Sequence, residues 1–184
     1  MRVNKFDLLI FDWEGTLFNS NITPNATIFN GIKLGIKDLK RRGYILSIAT
    51  GSGRRGLNRD LVDVNLKDYF LITKTIDDCF AKPHPQMILD IINYSMVDLE
   101  RALMIGDTTY DLQMAKNAGI SSLAVSYGSQ SSEQLEEFCP LAIIAIPDFA
   151  DEYNFPISNG GNNPRHCVNP SQPLPYTLKS NFFS

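Results

Sequence analysis

The chain has 184 residues, 43% of them hydrophobic and 20% charged, with a formal net charge of -3. That length suits one domain with a sizeable core, and the charge balance excludes a broad basic surface for general nucleic-acid binding. The longest late apolar run, Leu141 to Ile146, is far too short to cross a bilayer. Three scattered cysteines (Cys79, Cys139, Cys167) without a C-x-x-C pair, and an N-terminus that meets Asp7 too soon for a signal peptide, suit a reducing, cytoplasmic setting.

Along the chain, the apolar run Leu8 to Phe11 leads straight into Asp12-Trp13-Glu14-Gly15-Thr16-Leu17. An apolar run ending in a carboxylate and a glycine turn predicts a buried parallel strand with a reactive group at its C-terminal end. Open α/β sheets bind ligands at such ends. After a polar stretch from Asn19 to Asn25, Ile28, Ile32, Gly35, Ile36 and Leu39 recur at helical spacing. Lys40-Arg41-Arg42-Gly43 stops that helix. Tyr44 to Ala49 is the next strand, closing on Thr50-Gly51-Ser52-Gly53. Leu57, Leu61 and Val62 predict a short helix, Tyr69 to Thr73 a third strand, and Met87 to Ile92 a helix after Pro83 and Pro85. Leu103 to Ile105 forms a strand that runs into Gly106-Asp107, and Leu112 and Ala115 lie on a helix that stops at Gly119. Ser122 to Val125 and Leu141 to Ile146 complete the strands.

Strands alternating with helices predict βαβ units. The expected fold is α/β, a Rossmann-like three-layer sandwich with a mostly parallel sheet and helices on both faces. Proline, asparagine and serine dominate from Pro156 onward, too little apolar surface to offset ordering entropy. We expect a core over residues 1–155 and a flexible tail over 156–184.

Two carboxylate-bearing strand ends, Asp12 and the Asp107–Asp111 pair, suggest an oxygen-ligand metal site of the type Mg²⁺ prefers. Asp12 with Glu14, then Thr50, then Lys82, then Asp107 with Asp111 stand in that order, each at or just after a strand end. This order resembles the haloacid dehalogenase superfamily over roughly residues 6 to 150. Phe11-Asp12-Trp13-Glu14-Gly15-Thr16-Leu17, Ala49-Thr50-Gly51, Lys82-Pro83-His84-Pro85 and Gly106-Asp107-Thr108-Thr109-Tyr110-Asp111 are most similar to its phosphoglycolate-phosphatase-like branch.

The resemblance implies a Mg²⁺-dependent phosphomonoester hydrolase acting on a phosphorylated small molecule. Asp12 would be the nucleophile that forms an aspartyl phosphate. Mg²⁺ would be held by Asp12, Asp107 and the backbone carbonyl of Glu14, with Asp111 behind them orienting water or steadying Lys82. Lys82 would screen Asp12 from the incoming phosphate. Thr50, Gly51 and Arg54 would meet the phosphoryl oxygens, although Arg54, Arg55 and Arg59 read equally well as a solvated helix face. Trp13 and Tyr110 either wall the pocket or pack, and His84 reads as a structural turn.

Glu14 departs from the family's usual aspartate, the acid and then base of the reaction. One extra methylene moves the carboxyl by about 1 Å, and misplacement on that scale can cost ~100-fold in rate. The alternative is therefore a catalytically impaired protein that keeps the phosphate pocket. Between Asp12 and Thr50 only residues around 19–28 remain for a cap, too few for a helical subdomain. We therefore expect the site to be covered from elsewhere, by a second copy in a homo-oligomer or by a large substrate.

Overall fold

The structure is a computed structural model that describes residues 5–20 and 27–145. The expected tail at 156–184 and the middle of the expected vestigial cap lie outside the described residues. Six strands form one parallel sheet: β1 (Leu8–Phe11), β4 (Ile45–Ala49), β5 (Thr73–Lys74), β6 (Ala102–Gly106), β7 (Ser121–Val125) and β8 (Ile143–Ile144). Their order across the sheet is β5-β4-β1-β6-β7-β8. The two remaining strands, β2 (Phe18–Asn19) and β3 (Thr27–Ile28), pair antiparallel as a separate small hairpin.

Why β1 is apolar without a break is visible in its packing. Leu9 and Phe11 point into a cluster with Ile32, Ile36 and Leu39 of α1 (Ile32–Arg41) and Leu57 and Leu61 of α2 (Arg54–Asp63). Leu8 and Ile10 point the other way, onto Met87, Ile88 and Ile91 of α3 (Gln86–Ser95) and Met114, Ala115 and Ala118 of α4 (Thr109–Ala118). A strand covered by helices on both sides has no face on which a polar residue is free of charge. Full burial of each such aliphatic side chain is worth roughly 1.5–3 kcal/mol. The result is the three-layer Rossmann-like α/β core expected from the sequence.

The boundaries differ in places for identifiable reasons. Ile28 lies in β3 rather than opening α1, because Gly31 (φ 80°) turns the chain in the left-handed region one residue before the helix begins. The expected strand at Tyr69–Thr73 is shortened to β5, since Lys67–Tyr69 coil into a single 3₁₀ turn. Leu71 and Ile72 still follow the edge of β4, through Leu71 N–H to Leu46 O (2.7 Å) and Ile48 N–H to Ile72 O (3.1 Å). A short helix α5 (Ser132–Glu136), started by a capping box between Ser131 and Gln134, was not expected. Cys79 is a free thiol. Among the described residues no helix is long and apolar enough to cross a membrane.

Candidate active site

The sheet order reverses at β1: β4 and β5 lie to one side of it, β6, β7 and β8 to the other. Loops leaving β1 and its neighbours diverge there and open a crevice at the carboxyl ends of the strands. Asp12 is the first residue past β1, anchored by its N–H to Ile105 O (2.9 Å), and its side chain is nearly buried. Thr50 follows β4, Asp107 follows β6, and Asp111 stands in the first turn of α4. Lys82 arrives on the loop between β5 and α3, whose far side is tied by Asn117 Nδ2 to Pro83 O (2.9 Å).

Lys82 is the hub. Its Nζ donates to Asp12 Oδ1 and to Asp111 Oδ1, each at 2.5 Å. Asp12, Asp107 and Asp111 each offer a carboxylate oxygen within 4.8 Å of the others, and all three are buried. Burial pushes the Asp12 carboxyl up to about 8, against the pull of Lys82 and with Asp111 and Asp107 adding to the rise. Burial also opposes the charge on Lys82, but Asp111 and Asp12 outweigh it and hold its ammonium above the usual lysine range. The Asp12 shift comes first from burial, the Lys82 shift from its two carboxylate neighbours. Three buried carboxylates face one ammonium, a formal imbalance that a divalent cation would cancel. The donors are all hard oxygens, which fits Mg²⁺ or a similar ion.

The carboxylates are held as well as gathered. Asp107 Oδ1 accepts from Thr16 Oγ1 (3.1 Å), while Oδ2 accepts from both the N–H (2.7 Å) and the Oγ (2.8 Å) of Ser129. Asp111 closes a capping box with Thr108 at the start of α4, its Oδ2 accepting from Thr108 Oγ1 at 2.6 Å. Thr109 N–H donates to Gln130 Oε1 (2.6 Å), which fixes the loop after β7 against the same helix. Tyr127, its phenol pushed up by burial, donates to Thr16 O (2.9 Å) and packs edge-on to Phe29 at 5.0 Å. The packing leaves no spare room: a Cβ on Gly15 (φ 82°) would lie 2.2 Å from Asp107 Oδ2.

The remaining candidates divide. Thr50 is buried at the cleft floor, where its Oγ1 accepts from Ser52 N–H (3.1 Å), and Gly51 lines the cleft beside it. Glu14 also lines the cleft but is exposed. Arg54 is not brought to the cleft: its guanidinium donates to Thr73 O (2.7 Å) and pairs with Asp78, and its N–H donates to Asp77 Oδ2 (2.7 Å). Trp13 packs, fully buried and stacked on Phe18 with ring centroids 5.3 Å apart. Tyr110 is an exposed part of the cleft wall. His84 accepts from Gln86 N–H (3.3 Å) and lies against Phe80, a turn rather than a reactive group. Thr16, Ser129 and Gln130 are the residues that sequence reading passed over. Only the Thr108-x-x-Asp111 pattern carried a readable signal of this kind, a capping box.

The family model described as haloacid dehalogenase-like hydrolase matches residues 12–125, more than half of the chain. The chain belongs to this family. A protein called probable phosphatase IndB, from Dickeya dadantii, is 33% identical over 131 residues, covering 70% of this chain and 57% of that protein. The pyrophosphatase PpaX of Bacillus cereus (strain B4264) is 33% identical over 106 residues, covering 57% of this chain and 49% of PpaX. This chain thus spans about half the length of the curated relatives it matches. Among solved structures, a predicted phosphoglycolate phosphatase from Haemophilus somnus 129PT superposes with a TM-score of 0.74 at 16% identity. That match covers 80% of this chain and 97% of the other, and at such identity it shows the fold alone. Within this haloacid dehalogenase-like core, the described residues between Asp12 and Thr50 hold only the β2–β3 hairpin, α1 and the strand β4. Among those described residues there is no helical cap.

Proposed function

We propose that the chain is a Mg²⁺-dependent phosphomonoester hydrolase that works through an aspartyl phosphate on Asp12. The observation that carries this reading is the convergence of Asp12, Lys82, Asp107 and Asp111 in one buried cluster, from three separate segments, at the point where the sheet order reverses. The names of the relatives, a phosphatase and a pyrophosphatase, support hydrolysis of a phosphoryl group.

In this mechanism a carboxylate oxygen of Asp12 attacks phosphorus, the Asp12 O–P bond forms, and the ester P–O bond breaks. Lys82 offsets charge between nucleophile and phosphate while Asp111 holds its ammonium in place. Thr50 and the backbone N–H groups beside Gly51 receive the phosphoryl oxygens. Glu14 gives its proton to the leaving oxygen, then takes one from the water that releases phosphate from Asp12. Asp12, Asp107 and the backbone carbonyl of Glu14 would hold Mg²⁺, with Asp111 behind them. When bound, the ion supplies neutralisation of the phosphoryl charge.

A second reading, a phosphate-binding protein with little turnover, has one observation in its favour: the Glu14 side chain, longer than aspartate, is exposed at the mouth. Hydrolysis of p-nitrophenyl phosphate with and without Mg²⁺ separates the two. The phosphatase reading expects turnover that disappears with EDTA. Phosphate binding without turnover would favour the second.

A further inference from the structure

The cleft is open and of modest size, about 360 Å³, so the leaving group of any ester sits at a mouth whose lining can be read residue by residue. Among the described residues, the only cation in that lining is Lys82, and both of its ion pairs point inward, to Asp12 and Asp111. The nearest arginine in sequence to the Thr50 loop, Arg54, is engaged by Thr73 and Asp78. Ser20, beside the end of β2, lines the mouth and carries no charge. What the mouth does present is one exposed carboxylate, Glu14, among the hydroxyls of Ser20, Thr108, Tyr110 and Ser129.

From this we infer that the substrates are phosphomonoesters whose leaving group carries no negative charge, such as hydroxylated or amino alcohols. The inference rests on the phosphatase reading above and narrows it. A leaving group with a carboxylate or a second phosphate would bring an anion to a mouth where, among the described residues, the one lining cation, Lys82, is already paired with Asp12 and Asp111. A charged ligand group left without a partner is a strong means of rejecting that ligand. The Thr108 and Ser129 hydroxyls, by contrast, already give their protons to Asp111 and Asp107 and so offer acceptor oxygens, which suit an alcohol or ammonium donor. Phosphoglycolate and pyrophosphate, whose leaving groups are anionic, are therefore disfavoured for this chain.

Three esters of nearly equal size make the test, differing only in the charge of one terminal group: 2-hydroxyethyl phosphate, phosphoethanolamine and 2-phosphoglycolate. We expect kcat/KM for the first two to exceed that for 2-phosphoglycolate by about tenfold or more. The gap should shrink as salt is raised, because charges at an open mouth are screened over roughly 10 Å at 0.1 M ionic strength. In a second arm, Ser20→Lys, which adds a cation at the mouth, should move the ratio towards 2-phosphoglycolate. Equal or better hydrolysis of 2-phosphoglycolate by the unmodified chain would overturn the inference while leaving the phosphatase reading standing. Loss of all three activities together with that on p-nitrophenyl phosphate would overturn both.

Discussion

Gly128 offers a sharp test of how closely the loop after β7 is fitted to the carboxylate cluster. A Cβ built there would lie 2.4 Å from both Cβ and Oδ2 of Asp107 and 2.5 Å from the carbonyl oxygen of Gly15. Ordinary contact begins near 3.4 Å, so Gly128→Ala must push these groups apart by about 1 Å. Two of the three obstacles are stiff: a backbone carbonyl and the Cβ of a residue whose carboxylate is already tied to Thr16 and Ser129. Overpacking of this kind costs typically ~1–3 kcal/mol, and a displacement near 1 Å at reacting groups can lower turnover ~100-fold. Gly56, inside α2, is the matched control, since nothing lies within 4 Å of its Cβ and alanine favours a helix by up to about 1 kcal/mol. Thermal unfolding and p-nitrophenyl phosphate hydrolysis should then show Gly128→Ala destabilised and nearly inactive, and Gly56→Ala as stable as the parent or more so. A Gly128→Ala protein with parental turnover and parental Mg²⁺ dependence would refute the close fit of this loop to the site.

Three further predictions concern neighbouring groups. Ser129→Ala removes one of the two hydrogen bonds that hold Asp107 Oδ2, and such supporting contacts are worth ~10–100-fold in metal affinity; a Mg²⁺ titration followed by thermal shift should show weaker binding with the apo protein still folded. If the length of Glu14 misplaces its proton, Glu14→Asp should raise kcat and Glu14→Gln lower it, and unchanged rates in both would remove Glu14 from acid–base work. Among the described residues no helical cap covers the cleft; sedimentation at micromolar concentration distinguishes the two expected covers, a species heavier than the monomer for a second copy and a monomer for a large substrate.

The layers of this fold were legible because burial on both faces leaves a direct trace in sequence. Leu8 to Phe11 and Leu103 to Ile105 are apolar throughout, Tyr44 to Ala49 is interrupted only by the buried Ser47, and each strand lies within a residue or two of its run. Asp12, Thr50 and Asp107 were legible because each directly follows a strand at the same edge of the sheet, and Asp111 because it falls four residues after Asp107, in the helix that β6 leads into. Short edge elements were not: the pairing of Thr73 and Lys74 with Ile48 and Ala49 depends on where a 3₁₀ turn ends, and no periodicity marks that. Arg54 illustrates a different limit. A basic residue after the Thr50 loop fits a phosphate as well as it fits Asp78, and only tertiary geometry distinguishes the two partners. Ser129 had no local signal at all, because its partner Asp107 lies 22 residues away.

The central claim is that Asp12 becomes phosphorylated during turnover, and mass spectrometry of acid-quenched reactions tests it most directly. Protein mixed with p-nitrophenyl phosphate and Mg²⁺ and quenched in the steady state should carry one phosphoryl group on the peptide containing Asp12. The label should be lost, together with turnover, in Asp12→Asn, while the unfolding transition remains cooperative. Parental hydrolysis by Asp12→Asn, or a phosphoryl group on any other residue, would contradict the account.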